Sequence, residues 1–315
     1  MTAPTVYRST DASAPVLSGT VGSLNTLLLA CLVDGYGAKA GAGWTRPYYD
    51  AATHQGMYRM GAGNQHYLHV NDNGPGAHGG REARCRGYVT ASSYSSGTEP
   101  FPTAAQYANG LFFRKSATAD STPRAWTMIA DAETMYLMIS AGDSGSPIMP
   151  YYFGAFLAWK TSDNYDSILS ARIVEGSASN TSTQHPGYCA GHGGYNVLAG
   201  YSPRGYLGVS GAVAIYSQAN GALSNVNVIQ VIGGAGQPYP FPVDGGLLLS
   251  PLWLLEGVEP RGRLRGLWVP GHTRPLAEGD TYSVSDGAIT RSFLALNNGS
   301  VGQIHFETSD TWDLD

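Results

Sequence analysis

"RAWTMIADAETMYLMIS", residues 124–140, is the stretch on which the reading of this chain turns. Two short apolar runs flank Asp131-Ala132-Glu133, a polar turn too brief to be anything but a connection. Runs of this length, hinged on such a turn, predict a β-hairpin rather than a helix. The pattern repeats on both sides. Upstream, "GMYRMG" (56–61) and "QHYLHVN" (65–71) predict a second hairpin, "ARCRGYVTA" (83–91) alternates with period two, and "LFFRKS" (111–116) adds a strand. Downstream come "YYFGAFLAW" (151–159) and "SILSARIV" (167–174). The C-terminal part continues with "YLGVSGAVAIYS" (206–217), "NVNVIQVIG" (225–233), "RLRGLWVPG" (263–271), "DTYSVSD" (280–286), "SFLALNN" (292–298) and "GQIHFETS" (302–309).

One segment breaks the pattern. In "TVGSLNTLLLACLVDGYG" (20–37), Leu24, Leu27, Leu28, Cys31 and Leu32 recur at helical spacing, with Thr20 or Ser23 placed to cap and Gly35 placed to stop. The expected fold class is therefore mainly β, made of β-sandwich-like domains with one N-terminal helix, and α+β at most in the first half. Residues 1–19 carry Pro4 and Pro15, are too polar to form a core element, and read as an extended N-terminal arm. Residues 20–175 read as a helix-plus-β domain, 176–194 as a linker loop of small and turn-forming residues, and 195–315 as an all-β domain.

Composition narrows the function. Of the 315 residues 43% are hydrophobic and only 13% charged, with 42 glycines, 20 tyrosines and 18 prolines. The charged share is about half the usual ~25%, which suits a surface largely covered by other protein. A net charge of −5 argues against a nucleic-acid groove. Arg261, Arg263 and Arg265, the one basic cluster, alternate as residues on one side of a strand do. The 3 cysteines, Cys31, Cys85 and Cys189, are odd in number and far apart, so reduced thiols are expected. The longest apolar stretches, "LNTLLLACLV" and "GGLLLSPLWLL", fall short of the ~20 residues that span a bilayer. Without a basic start, and with Asp11 and Asn25 ahead of Cys31, the expectation is a chain made in the cytoplasm without a cleaved leader.

Several motifs imitate catalytic sites. "GDSGSP" (142–147) copies the nucleophile loop of chymotrypsin-like proteases. A serine needs a histidine to take its proton, and the fragment Thr103-Ala104-Ala105 is followed by Gln106 and Tyr107 instead. We read "GDSGSP" as a turn and expect no enzyme. His66 and His69, three apart on a strand, face opposite ways, so with Asp72 and His78 they do not converge on a metal. His185, Cys189 and His192 form the densest ligand cluster, a weak metal candidate because a structural zinc needs four ligands. "GGAGQPYPFP" (233–242) looks like a dinucleotide loop, but Pro238 and Pro240 forbid the helix that must follow. Asp163 and Asp166 flank Tyr165 without any sign that they share a cleft. No catalytic residue and no cofactor is expected.

The order of several segments resembles structural proteins of tailed bacteriophages, of the minor tail or baseplate type. The carriers are "VYRSTDASAPVLSGTVGSL" (6–24), "LLLACLVDGYGAKAGAGWTRPY" (27–48), "REARCRGYVTASSYSSGTEPFPTAAQ" (81–106), "LFFRKSATADSTPRAWTMIADAETMYL" (111–137), "FGAFLAWKTSD" (153–163) and "GRLRGLWVPGHTRPLAEGD" (262–280). The resemblance implies a virion component assembled in the host cytoplasm, non-enzymatic, β-rich and homo-oligomeric. Its partners would be copies of itself and other virion proteins, with no nucleic acid and no membrane. Its surfaces, the N-terminal arm and the Tyr/Trp-rich strands, would do the work. A receptor- or glycan-binding tail-tip module, touching a host receptor, is the alternative, and a neck or head-decoration position stays open.

Overall fold

The computed structural model describes residues 3–76, 78–142, 149–173, 198–219, 240, 246–257, 259–272, 276–285, 287–298, 302–309 and 312. The 124–140 stretch is the hairpin its sequence predicts. Ala125–Ala130 and Thr134–Ser140 pair antiparallel, Met135 opposite Ala130 and Ser140 opposite Ala125. Asp131 builds the turn, its Oδ1 accepting the Glu133 and Thr134 amides at 2.9 and 2.8 Å, as Asp does where it mimics a backbone turn.

The apolar run has a physical reason. Met128, Ala130, Met135, Leu137 and Ile139 point into one core, while Ile129, Tyr136 and Met138, the residues between them, point into another. Strand side chains alternate, so a strand buried on both faces has no polar period. The neighbouring strands do the same: Tyr151, Phe153, Leu169 and Ala171 join the first core, Tyr152 and Ile168 the second. At ~1.5–3 kcal/mol for each large apolar side chain removed from water, this doubly covered hairpin is the centre of the fold.

The first core is closed by the helix and by strands Gln55–Arg59, Tyr67–Asn71, Glu82–Tyr88 and Leu111–Arg114. Leu24, Leu27, Leu28, Cys31 and Leu32 are buried there as their spacing predicts. The helix is α-helical over Ser23–Leu28, continues as π-helical turns over Leu29–Asp34, and stops at Gly35 with φ 82°. Its cap differs from expectation. Neither Thr20 nor Ser23 caps it; the Oδ2 of Asp72 accepts the Leu24 amide at 2.8 Å and the Asn25 amide at 3.4 Å. Asp72 also pairs with the buried ammonium of Lys115, which donates to Thr20 O at 2.8 Å. Carboxylate and ammonium thus tie the helix start to two strands.

The second core is closed by Leu249–Glu256, Glu259–Pro270, Thr290–Asn298 and Gly302–Glu307. Here the domain expectation is corrected. Ser167–Arg172 pairs with Leu198–Arg204, and Leu157–Ala158 pairs with Glu259–Pro270. Met149–Ala155, with Leu157–Ala158 as its continuation, thereby leads through Ser167–Arg172, Leu198–Arg204, Ser210–Ala219, Leu249–Glu256 and Glu259–Pro270 back to itself, a closed barrel. The 20–175 and 195–315 segments share one antiparallel sheet, because the exposed back of the central hairpin would otherwise lie in water. The 176–194 linker lies outside the described residues. Among the described residues no helix is long and apolar enough to cross a membrane.

The arm is corrected too. Thr5–Arg8 is a strand paired with Ala125–Ala130, Thr5 opposite Ala130 and Arg8 opposite Thr127. Tyr7 is fully buried and its hydroxyl donates to Ala40 O at 2.7 Å. Asp11 clamps the segment, accepting from the Arg8 amide at 2.7 Å and the Tyr36 hydroxyl at 2.8 Å beside Lys39. Polar residues here satisfy strand backbone and ion pairs, so their polarity does not keep the segment out of the sheet.

Candidate functional site

Four connections meet at one rim of the barrel. The first is residues 159–166. Past Phe156, whose amide donates to Asp166 O at 2.8 Å, the Trp159 amide donates to Arg261 O at 3.0 Å. Asp163 folds the loop inward, its Oδ1 accepting the Tyr165 amide at 3.1 Å. The second is the end of the Leu249–Glu256 and Glu259–Pro270 pair, which brings Arg261. Its guanidinium donates from Nε to Asp163 Oδ2 at 2.8 Å and from Nη2 to Asp163 Oδ1 at 3.1 Å. It also reaches Glu256 Oε2 at 3.2 Å and Tyr165 O at 3.0 Å. Two carboxylates and a carbonyl on one planar fork hold the loop in a single geometry.

The third connection is the 205–209 turn between Leu198–Arg204 and Ser210–Ala219. Gly208 sits at φ 77° and donates to Gly205 O at 2.8 Å, and the Tyr206 amide donates to Glu256 Oε2 at 3.0 Å. The fourth is residues 97–99 at the foot of a small hairpin. Glu99 accepts from Arg204 Nε at 2.6 Å, and the Arg204 guanidinium lies 4.4 Å from the Tyr165 ring centre.

This bracing presents large apolar side chains to water. Leu207 is 66% exposed, Val209 64% and Trp159 60%. Trp253 lies edge-to-face with Trp159, ring centres 5.2 Å apart. Singly exposed apolar residues are ordinary; Leu207, Val209 and Trp159 sit on connections braced by the ion pairs above.

The carboxylates and histidines marked in the sequence are spread between this rim and the first core. Asp163 and Asp166 do come close, and burial, reinforced by the Asp163 carboxylate, pushes Asp166 up to about 7. Both are engaged by the protein, Asp163 by Arg261 and Asp166 by the Asn64 amide. His66 is buried against Phe101, His69 meets Gln55 at 3.3 Å, Asp72 serves the helix, and His78 accompanies Arg81. Among the described residues no group of three His, Cys, Asp or Glu side chains is placed to hold a metal. Gln106 donates to Ala212 O at 2.7 Å. Residues 143–147 of "GDSGSP", with Ser144, lie outside the described residues, as do His185, Cys189 and His192. A cavity of about 10 Å³ beside Arg263, Trp268, Glu307 and Trp312 has room for roughly one water.

The rim itself was missed in the sequence. "YLGVSGAVAIYS" reads as strand throughout, yet 205–209 is the turn, and Gly205 and Gly208 bracketing Tyr206-Leu207 were the available signal. No family model matches the chain, and no curated protein matches it.

Proposed function

We propose that this chain is a non-enzymatic structural subunit of a tailed-phage virion, of the tail or baseplate, that works by contact with copies of itself and with other virion proteins. Support comes from the ordered segments that resemble such proteins and, above all, from Leu207 and Val209 at the tip of a turn braced by Glu99–Arg204 and Glu256–Arg261. A rigid apolar tip forms an interface at low entropic cost, since nothing need be ordered on contact. A neck or head-decoration position uses the same chemistry. The receptor- or glycan-binding reading is favoured by a separate observation, the Trp159–Trp253 pair.

Light scattering tests the self-association. The full chain is expected to be oligomeric, and Leu207→Ser with Val209→Ser is expected to yield a monomer with unchanged melting temperature. A wild-type monomer, or an oligomer indifferent to both changes, overturns the role given to this tip.

A further inference from the structure

The Trp159 platform has a different character from the apolar tip. Its indole is largely open to water while its backbone is fixed, Leu157 and Ala158 being paired with Arg263 and Gly262. The edge-to-face contact with half-buried Trp253 supports the ring without enclosing it. The residues that follow are polar: Lys160, Thr161, Ser162 and Asn164 are all exposed. They ride on a turn closed by Asp163 N to Lys160 O at 2.9 Å and Asn164 N to Ser162 O at 3.1 Å. The buried Asp163–Arg261 pair holds that turn from beneath.

We propose that Trp159 with the 160–164 turn is a binding site for a neutral hexopyranosyl residue of a glycan. A pyranose has a face of C–H groups and a rim of hydroxyls. The C–H face suits an open indole, whose π cloud attracts the weakly positive hydrogens and whose area is apolar. The hydroxyl rim suits an ammonium, two hydroxyls and an amide, which together donate and accept. A protein hot spot instead places its tryptophan among near-neutral contacts that shut out water, and a turn of Lys, Thr, Ser and Asn does not. An exposed aromatic on a fixed backbone, bordered by polar side chains, offers both kinds of contact that such a residue uses. The inference deepens the receptor- or glycan-binding reading and rests on it, but not on the structural role, since a subunit of any assembly can carry the site.

The test is saturation-transfer NMR on the full chain with methyl β-glucopyranoside, methyl β-galactopyranoside and methyl α-mannopyranoside, each at about 10 mM, the range in which single sugars occupy a weak site. At least one probe is expected to receive saturation, strongest on its C–H protons. Trp159→Ala is expected to weaken binding about tenfold or more, Trp159→Phe to retain part of it, and Lys160→Met to weaken it several-fold. None of these exposed changes is expected to move the melting temperature. Absence of transfer to all three probes, or equal transfer in wild type and Trp159→Ala, overturns the site whatever the outcome of the light-scattering experiment.

Discussion

Arg261 and Asp163 form a two-pronged ion pair across the barrel rim, 2.8 Å from Nε to Oδ2, with each side chain 1% exposed. They lie 98 residues apart in the chain, and each comes from a different segment of the sequence-derived domain scheme. Removing the Asp163 carboxylate leaves the buried Arg261 guanidinium on Glu256 and Tyr165 O, so the cost falls at or below the ~3–5 kcal/mol of a buried charge left with no partner. Asp163→Ala is therefore expected to lower thermal stability by up to that amount and to loosen the 159–166 turn. Hydrogen exchange at Asn164, whose amide bonds Ser162 O within the turn, and at Trp159, whose amide bonds Arg261 O, checks the second effect. Unchanged exchange would mean that the backbone bonds suffice without the ion pair.

Tyr7 carries the revised view of the N-terminus. A free arm is dispensable for folding, whereas a strand with a fully buried tyrosine on it is not. Tyr7→Ala is expected to cost ~3–5 kcal/mol, the range for losing a large buried aromatic. Urea unfolding of the purified variant measures it. A cost under ~1 kcal/mol would return these residues to the status of an appendage.

Asp166 sets a pH dependence with a definite sign. Unfolded, it ionises near its ordinary 3.8; folded, burial and the Asp163 carboxylate keep its proton on up to about 7, with Glu133 adding to the shift and Arg261 opposing it. Between these values the folded state binds more protons, so the stability from this site is full below the lower value and is lost as pH rises through the upper one. His66, His69 and His305 run the other way. Burial holds each down to about 4, so their contribution is full above the ordinary 6.5 and is lost as pH falls towards 4. Comparing wild type with Asp166→Asn cancels the histidines. Relative to that variant, wild type is expected to lose stability between about pH 4.5 and about pH 7.5, read as the urea midpoint. Parallel profiles would show that Asp166 ionises normally.

The strands were legible because their evidence is local. Period-two alternation in "ARCRGYVTA", the Asp131-Ala132-Glu133 turn and the helical spacing of Leu24, Leu27, Leu28, Cys31 and Leu32 each need only a few consecutive residues. Gly35 as the helix stop is of the same kind. The helix cap was not legible, because Asp72 reaches it from 48 residues away. Nor were the rim's ion pairs, since nothing in the spacing of Asp163, Glu256 and Arg261 says which acid meets which base.

By itself, then, the sequence determined that this chain is mainly β with one apolar helix, and that residues 124–140 form a hairpin. Only the tertiary structure decided that both halves share one sheet, that the N-terminus is a strand of it, and that Trp159, Leu207 and Val209 are left facing water. The reason is physical. Secondary structure follows from the repeat of polar and apolar side chains along a few residues, but burial depends on which strands meet. An apolar residue reads the same in a core and on a rim until the other side of the contact is known.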